Sequence, residues 1–212
     1  AMSVESNGRN KVLVSSAIHP LFRKTARTLL QFKEIEIVEV PYNKKTGQTD
    51  LKALKGMLDE KVACVAVQSP NFFGCIEELA DVSELAKRYG SLAVAVVEPV
   101  SLAILEPPGT LGFDIACADG QSLGLPLTYG GPTFGIMACK KELMRKLPGR
   151  IVGQTTDKDG RRAYCLILQA REQHIRRERA TSNICTNQTL MALRATIYME
   201  CLGKQGLADV AI

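Results

Sequence analysis

The sequence predicts an α/β fold organised on a mostly parallel sheet, on three observations. Short β-branched or apolar runs alternate along the chain with segments of helical period, the rhythm of βαβ units. Two runs, Val62–Val67 and Leu92–Val97, carry no polar residue at all, which suits strands covered on both faces. Finally, 212 residues with 46% hydrophobic and 23% charged side chains have the balance of one ordinary globular domain.

The elements follow in order. Val12–Val14 reads as the first strand. Leu21–Phe32 reads as a helix with Phe22, Ala26, Leu29 and Leu30 on one stripe. Ile35–Val40 alternates apolar and acidic residues, as an edge strand with one wet face would, and Pro41 stops it. Asp50 is placed to cap a short helix carrying Leu51, Leu54 and Leu58. After the doubly covered run at Val62–Val67, the turn residues 69–74 lead to a helix with Leu79, Val82, Leu85 and Ala86 inward. Leu92–Val97 ends at Glu98-Pro99. Phe113–Ala118 and Thr133–Cys139 complete six strands. Pro148–Arg162 is polar and Gly-bearing and reads as a loop. Leu168–Arg179 reads as a charged helix, and Asn187–Leu202 as an amphipathic one through Leu190, Leu193, Ile197 and Cys201, with a short polar tail after it.

Composition excludes several classes. The excess of 27 basic over 22 acidic residues is spread along the chain, and aromatics are 5% with no Trp, so no nucleic-acid surface is indicated. Seven cysteines, none in C-x-x-C spacing, and only two histidines fit neither a secreted disulfide framework nor a zinc site. A reducing cytoplasm is the expected compartment. The polar first ten residues are no secretory leader, and the longest apolar stretch, Leu92–Leu105, is interrupted by Glu98-Pro99 and too short for a bilayer, so no membrane role is expected. No G-x-G-x-x-G or Walker-type glycine motif follows a predicted strand, which argues against a nucleotide-binding module.

In open α/β sheets, ligands sit beyond the carboxyl ends of strands. That rule selects four positions, Ser15–His19, Ser69-Pro70-Asn71, Glu98 and Asp119–Ser122; within them His19, Ser69, Asn71, Glu98, Gln121 and Ser122 are the candidate binding residues, and no metal set is among them. Glu98 directly follows an apolar strand, where a carboxylate is costly without a partner. It reads either as a cap or ion-pair member, or as the partner of a protonated ring nitrogen or cationic group. His19 reads as a loop histidine or as a ring stacked on a flat ligand. Ser69-Pro70-Asn71 also reads as plain turn chemistry, and Gly130-Gly131 as a tight turn. The cluster Arg171, His174, Arg176, Arg177 and Arg179 reads as a solvated face, or as a contact for a subunit or anion.

Three stretches carry a family resemblance: Val67-Gln68-Ser69-Pro70-Asn71-Phe72-Phe73-Gly74, then Gly130-Gly131-Pro132-Thr133-Phe134-Gly135, and above all Arg171 to Gln188. They resemble the α-type subunits of the glycine cleavage system P-protein, glycine dehydrogenase (decarboxylating). The likeness runs over residues 11–207, with 1–10 read as a leader and 208–212 as a tail; an N-terminal region and a C-terminal small domain of such subunits are expected to lie outside this stretch. The resemblance implies the large domain of a fold-type-I pyridoxal-phosphate (PLP) enzyme, a three-layer sandwich around a mostly parallel, seven-stranded sheet. It also implies a reaction: decarboxylation of glycine and transfer of the aminomethyl group to the lipoyl arm of the H-protein, by an α-type and a β-type subunit together. Homodimerisation of the isolated chain is left open.

In the resemblance, the β-type subunit carries the Schiff-base lysine that holds PLP, and Gln121 stands at the matching position here. An amide nitrogen has its lone pair delocalised and cannot form an imine. The next lysines, Lys140 and Lys141, follow another strand and read as the start of a surface helix. The Asp that partners the pyridine nitrogen in active relatives is here Glu98, followed by Pro99. No catalytic residue and no covalent PLP are therefore expected on this chain. Two alternatives are an autonomous PLP enzyme of aminotransferase or desulfurase type using another lysine, and a purely structural scaffold subunit.

Overall fold

The computed structural model describes residues 1–168, 172–180 and 188–212. The sequence-derived elements in residues 169–171 and 181–187, including Arg171, Cys185 and Asn187 of the family-like stretch, lie outside the described residues. In chain order the elements are α1 (Met2–Asn7), β1 (Lys11–Ser15), α2 (Pro20–Leu30), β2 (Glu36–Val40), α3 (Leu51–Met57), β3 (Val62–Ser69), α4 (Leu79–Arg88), β4 (Leu92–Val97), β5 (Ile115–Asp119), β6 (Gly135–Cys139), β7 (Ile151–Thr156), β8 (Arg162–Ile167), α5 (Gln173–Arg176) and α6 (Thr189–Ala211).

The main sheet has the order β2-β1-β3-β4-β5-β6. The first five strands pair in parallel, and β6 runs antiparallel to β5. Among the described residues the sheet has six strands, where the resemblance implies seven. As the alternating pattern requires, β2 is an edge strand, and the apolar runs Val62–Val67 of β3 and Leu92–Val97 of β4 lie inside. One face packs Leu13, Val65, Val67 and Val97 against Leu54 and Leu58 near α3 and Leu79, Val82 and Ala86 of α4, all buried. The other face buries Val12, Val14, Ala63 and Cys64, with Val4 of α1 and Ile37 against them. A third cluster joins Met2, Ile115 and Leu143. Asp50 caps α3 as its position predicts, accepting from the N–H groups of Lys52 (2.9 Å) and Ala53 (3.1 Å).

Four expectations are corrected. Pro148–Arg162 is no loop: β7 and β8 form an antiparallel hairpin, Val152 opposite Leu166 and Gln154 opposite Tyr164. Its tight turn is closed by Asp157 Oδ1, which accepts from the N–H groups of Asp159 and Arg161, with Gly160 at φ 77°. Among the described residues, Leu168–Arg179 is not a continuous helix but two short turns, Gln173–Arg176 and Arg177–Arg179, broken at Arg177 (φ 51°). With no apolar stripe to bury, the segment has nothing to hold a longer helix. The polar tail is helical to Ala211, the irregular backbone of Gly203 marking a kink.

The fourth concerns α2. Its expected inward stripe is not buried: Phe22 is 47% and Leu29 73% exposed, and no residue of the helix is buried. The helix is held instead by Arg23 and Arg27, four residues apart on one face, which reach Glu39 on the wet side of β2 at 2.5 and 2.6 Å. Burial alone would raise the Glu39 carboxyl, but the hydrogen bonds and charges of Arg27 and Arg23 outweigh it and hold the group below its ordinary value of 4.5. A depressed folded-state pKa stabilises the protein above that ordinary value, and the contribution is lost as pH falls through the folded one. Glu39→Gln is therefore expected to cost about 0.2–1 kcal/mol at neutral pH, the range of exposed pairs. It should cost less in acid below the folded pKa, flattening the acid limb of stability. Urea midpoints at pH 7 and across the acid range check this.

Candidate functional site

Parallel pairing sends the carboxyl ends of β1, β3, β4 and β5 to one rim, and the reversal of strand order between β1 and β3 opens a crevice there. A cavity of roughly 430 Å³ occupies it, with His19 and Phe22 after β1, Gln68 of β3, Glu98 after β4, and Asp119, Gln121 and Ser122 after β5 in its lining. The loop 127–133 contributes Leu127, Gly130, Gly131 and Thr133.

Each polar group is placed by local structure. His19 caps α2, its Nδ1 accepting from Leu21 N–H (3.2 Å), and Pro20 in the first turn has no N–H that would need an acceptor. His19 N–H donates to Gln68 Oε1 at 2.9 Å, joining the first and third strand ends. The His19 ring lies 5.1 Å from both Phe22 and Phe72, edge-on to the latter. Glu98 Oε2 accepts from Ser101 N–H (2.9 Å), capping the 3₁₀ turn Val100–Ala103, and Glu98 Oε1 accepts from the Ser122 hydroxyl. Of the two readings of Glu98, the geometry supplies the cap. Asp119 Oδ1 accepts from Gln121 N–H (2.8 Å) and from the Thr133 hydroxyl, and Gln121 Nε2 donates to Leu125 O (2.7 Å). Gly120 sits under this turn, and a Cβ there would overlap the Phe134 ring.

Of the six sequence-derived candidates, the crevice brings together His19, Glu98, Gln121 and Ser122. Ser69 and Asn71 are elsewhere, buried (3% and 5% exposed) in contacts with Glu77. Gln68, Phe22 and Thr133 are lining residues that were not among the candidates, and Asp119 lines the cavity from the strand-end stretch 119–122 that the sequence selects. The signal for Gln68 was present: it is the first polar residue of an apolar run, at the carboxyl end of a central strand. A second cleft of roughly 450 Å³ is lined by Thr49, Asp50, Glu77 and Glu78, but Asp50 is spent capping α3 and Glu77 on Thr49 N–H.

PLP, which the fold type implies, asks for an amine to form an imine and for cationic or N–H groups around a dianionic phosphate. The described lining residues include no Lys or Arg, and the charged ones, Glu98 and Asp119, are both negative. At the turn after β5 stands the amide of Gln121, tied to a backbone carbonyl. Lys140 lies away from the cavity, paired with Asp114 at 2.7 Å. The residues present do not fit a covalently held phosphate ester. Two cysteines of the sheet, Cys64 and Cys117, are poor nucleophiles, since burial pushes their thiols up. Among the described residues no group of three His, Cys, Asp or Glu side chains could hold a metal, and no helix is long and apolar enough to cross a membrane.

Comparison with known proteins shows the family and the fold. The family described as Glycine cleavage system P-protein matches residues 1–212. A probable glycine dehydrogenase (decarboxylating) subunit 1 from Desulforamulus reducens is 54% identical over 203 residues, 96% of this chain and 45% of that protein. Its counterpart from Carboxydothermus hydrogenoformans is 51% identical over 211 residues, 100% of this chain and 47% of that protein. The chain thus spans about half the length of the curated relatives it matches. Glycine decarboxylase (P-protein) of the glycine cleavage system, solved in inhibitor-bound form, superposes with a TM-score of 0.92 at 46% identity, over 98% of this chain and 46% of that one. A sphingosine-1-phosphate lyase from Burkholderia pseudomallei shares the fold alone, with a TM-score of 0.64 at 17% identity over 98% of this chain and 44% of that one.

The turn that presents Gln121 depends on the close approach at Gly120. Gly120→Ala is expected to destabilise the protein by about 1–3 kcal/mol through overpacking against Phe134. Adding Phe134→Ala should recover part of that loss; chemical denaturation of the two variants measures both.

Proposed function

This chain belongs to the glycine cleavage system P-protein family, and we propose that it is the lysine-less, α-type half of a two-subunit glycine-decarboxylating enzyme. The observation that carries the proposal is the crevice itself: a preformed cavity at the strand ends whose chemistry is that of an amide and two carboxylates. In this reading the β-type partner holds PLP on its own lysine. The pair decarboxylates glycine and passes the aminomethyl group to the lipoyl arm of the H-protein, in a reducing cytoplasm. The relatives named subunit 1 support the division of labour, and the likeness to a P-protein structure supports the reaction.

Uncovered apolar surface supports the need for a partner. Phe32 (90%), Leu190 (67%) and Tyr164 (61%) lie open to solvent, and Val152, Tyr164 and Leu166 share one face of a hairpin that two strands alone hold poorly in water. A purely structural scaffold would have no use for an open crevice in which His19, Gln68 and Glu98 are each placed by hydrogen bonds.

Borohydride reduction of the reconstituted two-subunit enzyme, followed by peptide mapping, should place the pyridoxyl adduct on the partner and none on this chain. The isolated chain should not exchange labelled bicarbonate with glycine. An adduct on this polypeptide would overturn the proposal. The double variant His19→Ala/Glu98→Ala is expected to lower exchange by the complex about tenfold or more, a change of roughly 1.4 kcal/mol or above in barrier; a scaffold would tolerate both substitutions.

A further inference from the structure

Asn71 does not face the crevice, yet it is fully engaged. Its Nδ2 donates to Gly47 O (2.8 Å) and to Glu77 Oε1 (2.8 Å), and its Oδ1 accepts from the N–H groups of Phe73 (3.0 Å) and Cys75 (3.1 Å). Both donors and both acceptor sites of the amide are used. The loop 71–75 is wound around this side chain, and its backbone is closed by Asn71 N–H to Cys75 O at 2.8 Å.

Glu77 fixes which way round that amide sits. It is 5% exposed; its Oε1 takes the Asn71 Nδ2–H, and both carboxylate oxygens take Thr49 N–H (3.1 and 2.9 Å). Its own N–H donates to Ser69 Oγ (3.2 Å). The Thr49 and Ser15 hydroxyls meet at 2.7 Å, so the network ties the carboxyl ends of β1 and β3 to the loop before α3. A flipped Asn71 amide would set oxygen against Gly47 O and a carboxylate, and NH₂ against two N–H donors. All four contacts would turn repulsive.

The outer side of the loop touches the crevice wall. Phe72 N–H donates to Ala17 O (2.9 Å), and the Phe72 ring meets His19 edge-on at 5.1 Å and 89°. We infer that Asn71 and Glu77 are positioning residues: through loop 71–75 they hold Phe72 against His19 and so set the wall of the crevice. The part of this inference that concerns catalysis rests on the proposed function; the part that concerns His19 does not.

The test uses Asn71→Asp, Glu77→Gln and the double variant. Asn71→Asp faces one carboxylate with another, whereas the double variant recreates a carboxylate–amide pair in the reverse sense. The chain has only two histidines, so ¹⁵N spectra of the full chain report His19 directly, with the exposed His174 as control. Asn71→Asp should shift the His19 ring signals and leave those of His174 in place, and the double variant should bring the His19 signals back towards wild type. In the reconstituted enzyme the KM should rise several-fold with kcat little changed, recovering in the double variant. Should Asn71→Asp fail to fold, Glu77→Gln, which loses one acceptor, carries the same measurements. A folded variant with a lowered urea midpoint but unmoved His19 signals would overturn the inference and leave the network a stability device only. If the wild-type complex shows no glycine exchange, the functional proposal fails while the His19 spectra still decide the positioning role.

Discussion

Parallel pairing of five adjacent strands is the constraint on which everything else in this molecule depends. It sends every strand to the same rim, so the residues that end apolar runs are delivered to one place whatever their separation along the chain. His19 and Ser122 are over one hundred positions apart and line one cavity for this reason. It also requires cover on both faces of the inner strands, which keeps β4 and all of β3 before Gln68 apolar, while β2 at the edge alternates.

Within that frame the rim has a chemistry of its own. Its polar groups are held by one another and by the backbone: Glu98 by Ser101 and Ser122, Asp119 by Gln121 and Thr133, Gln121 by Leu125. The charged members are negative, so the cavity is shaped like a cofactor crevice and charged against a phosphate. Shape has followed the sheet, and charge has followed the turns.

Much of this could be read before any coordinates. Asp50, the edge alternation of Ile35–Val40 and the two unbroken apolar runs each have one local cause, and each appears as read. What could not be read depends on context. Phe22 and Leu29 have the spacing of a core stripe, but a pair of arginines one turn apart and an acid on the neighbouring strand orient α2 otherwise. Residues 151–156 look polar, yet their β-branched members and the Asp159-Gly160 turn specify a hairpin once Arg162–Ile167 is available to pair. Ser69 and Asn71 were rightly placed at a strand end, but position along the sequence does not reveal which side of the rim a side chain turns to. Here the buried Glu77, several residues further along the chain, draws them inward: its carboxylate accepts from the Asn71 amide and its N–H donates to Ser69 Oγ.

The turn after β5 has one more implication, for reversibility. Exchanging Gln121 for lysine would remove the tie to Leu125 and place an ammonium beside Glu98 and Asp119, which share its cavity. Opposite charges favour the protonated form of an amine, and a protonated amine has no lone pair to offer. Regaining a nucleophile would thus demand neutralising two acids and importing a cation for the phosphate, a concerted change in several places. The turn as built therefore resists a lysine at this one position taken alone.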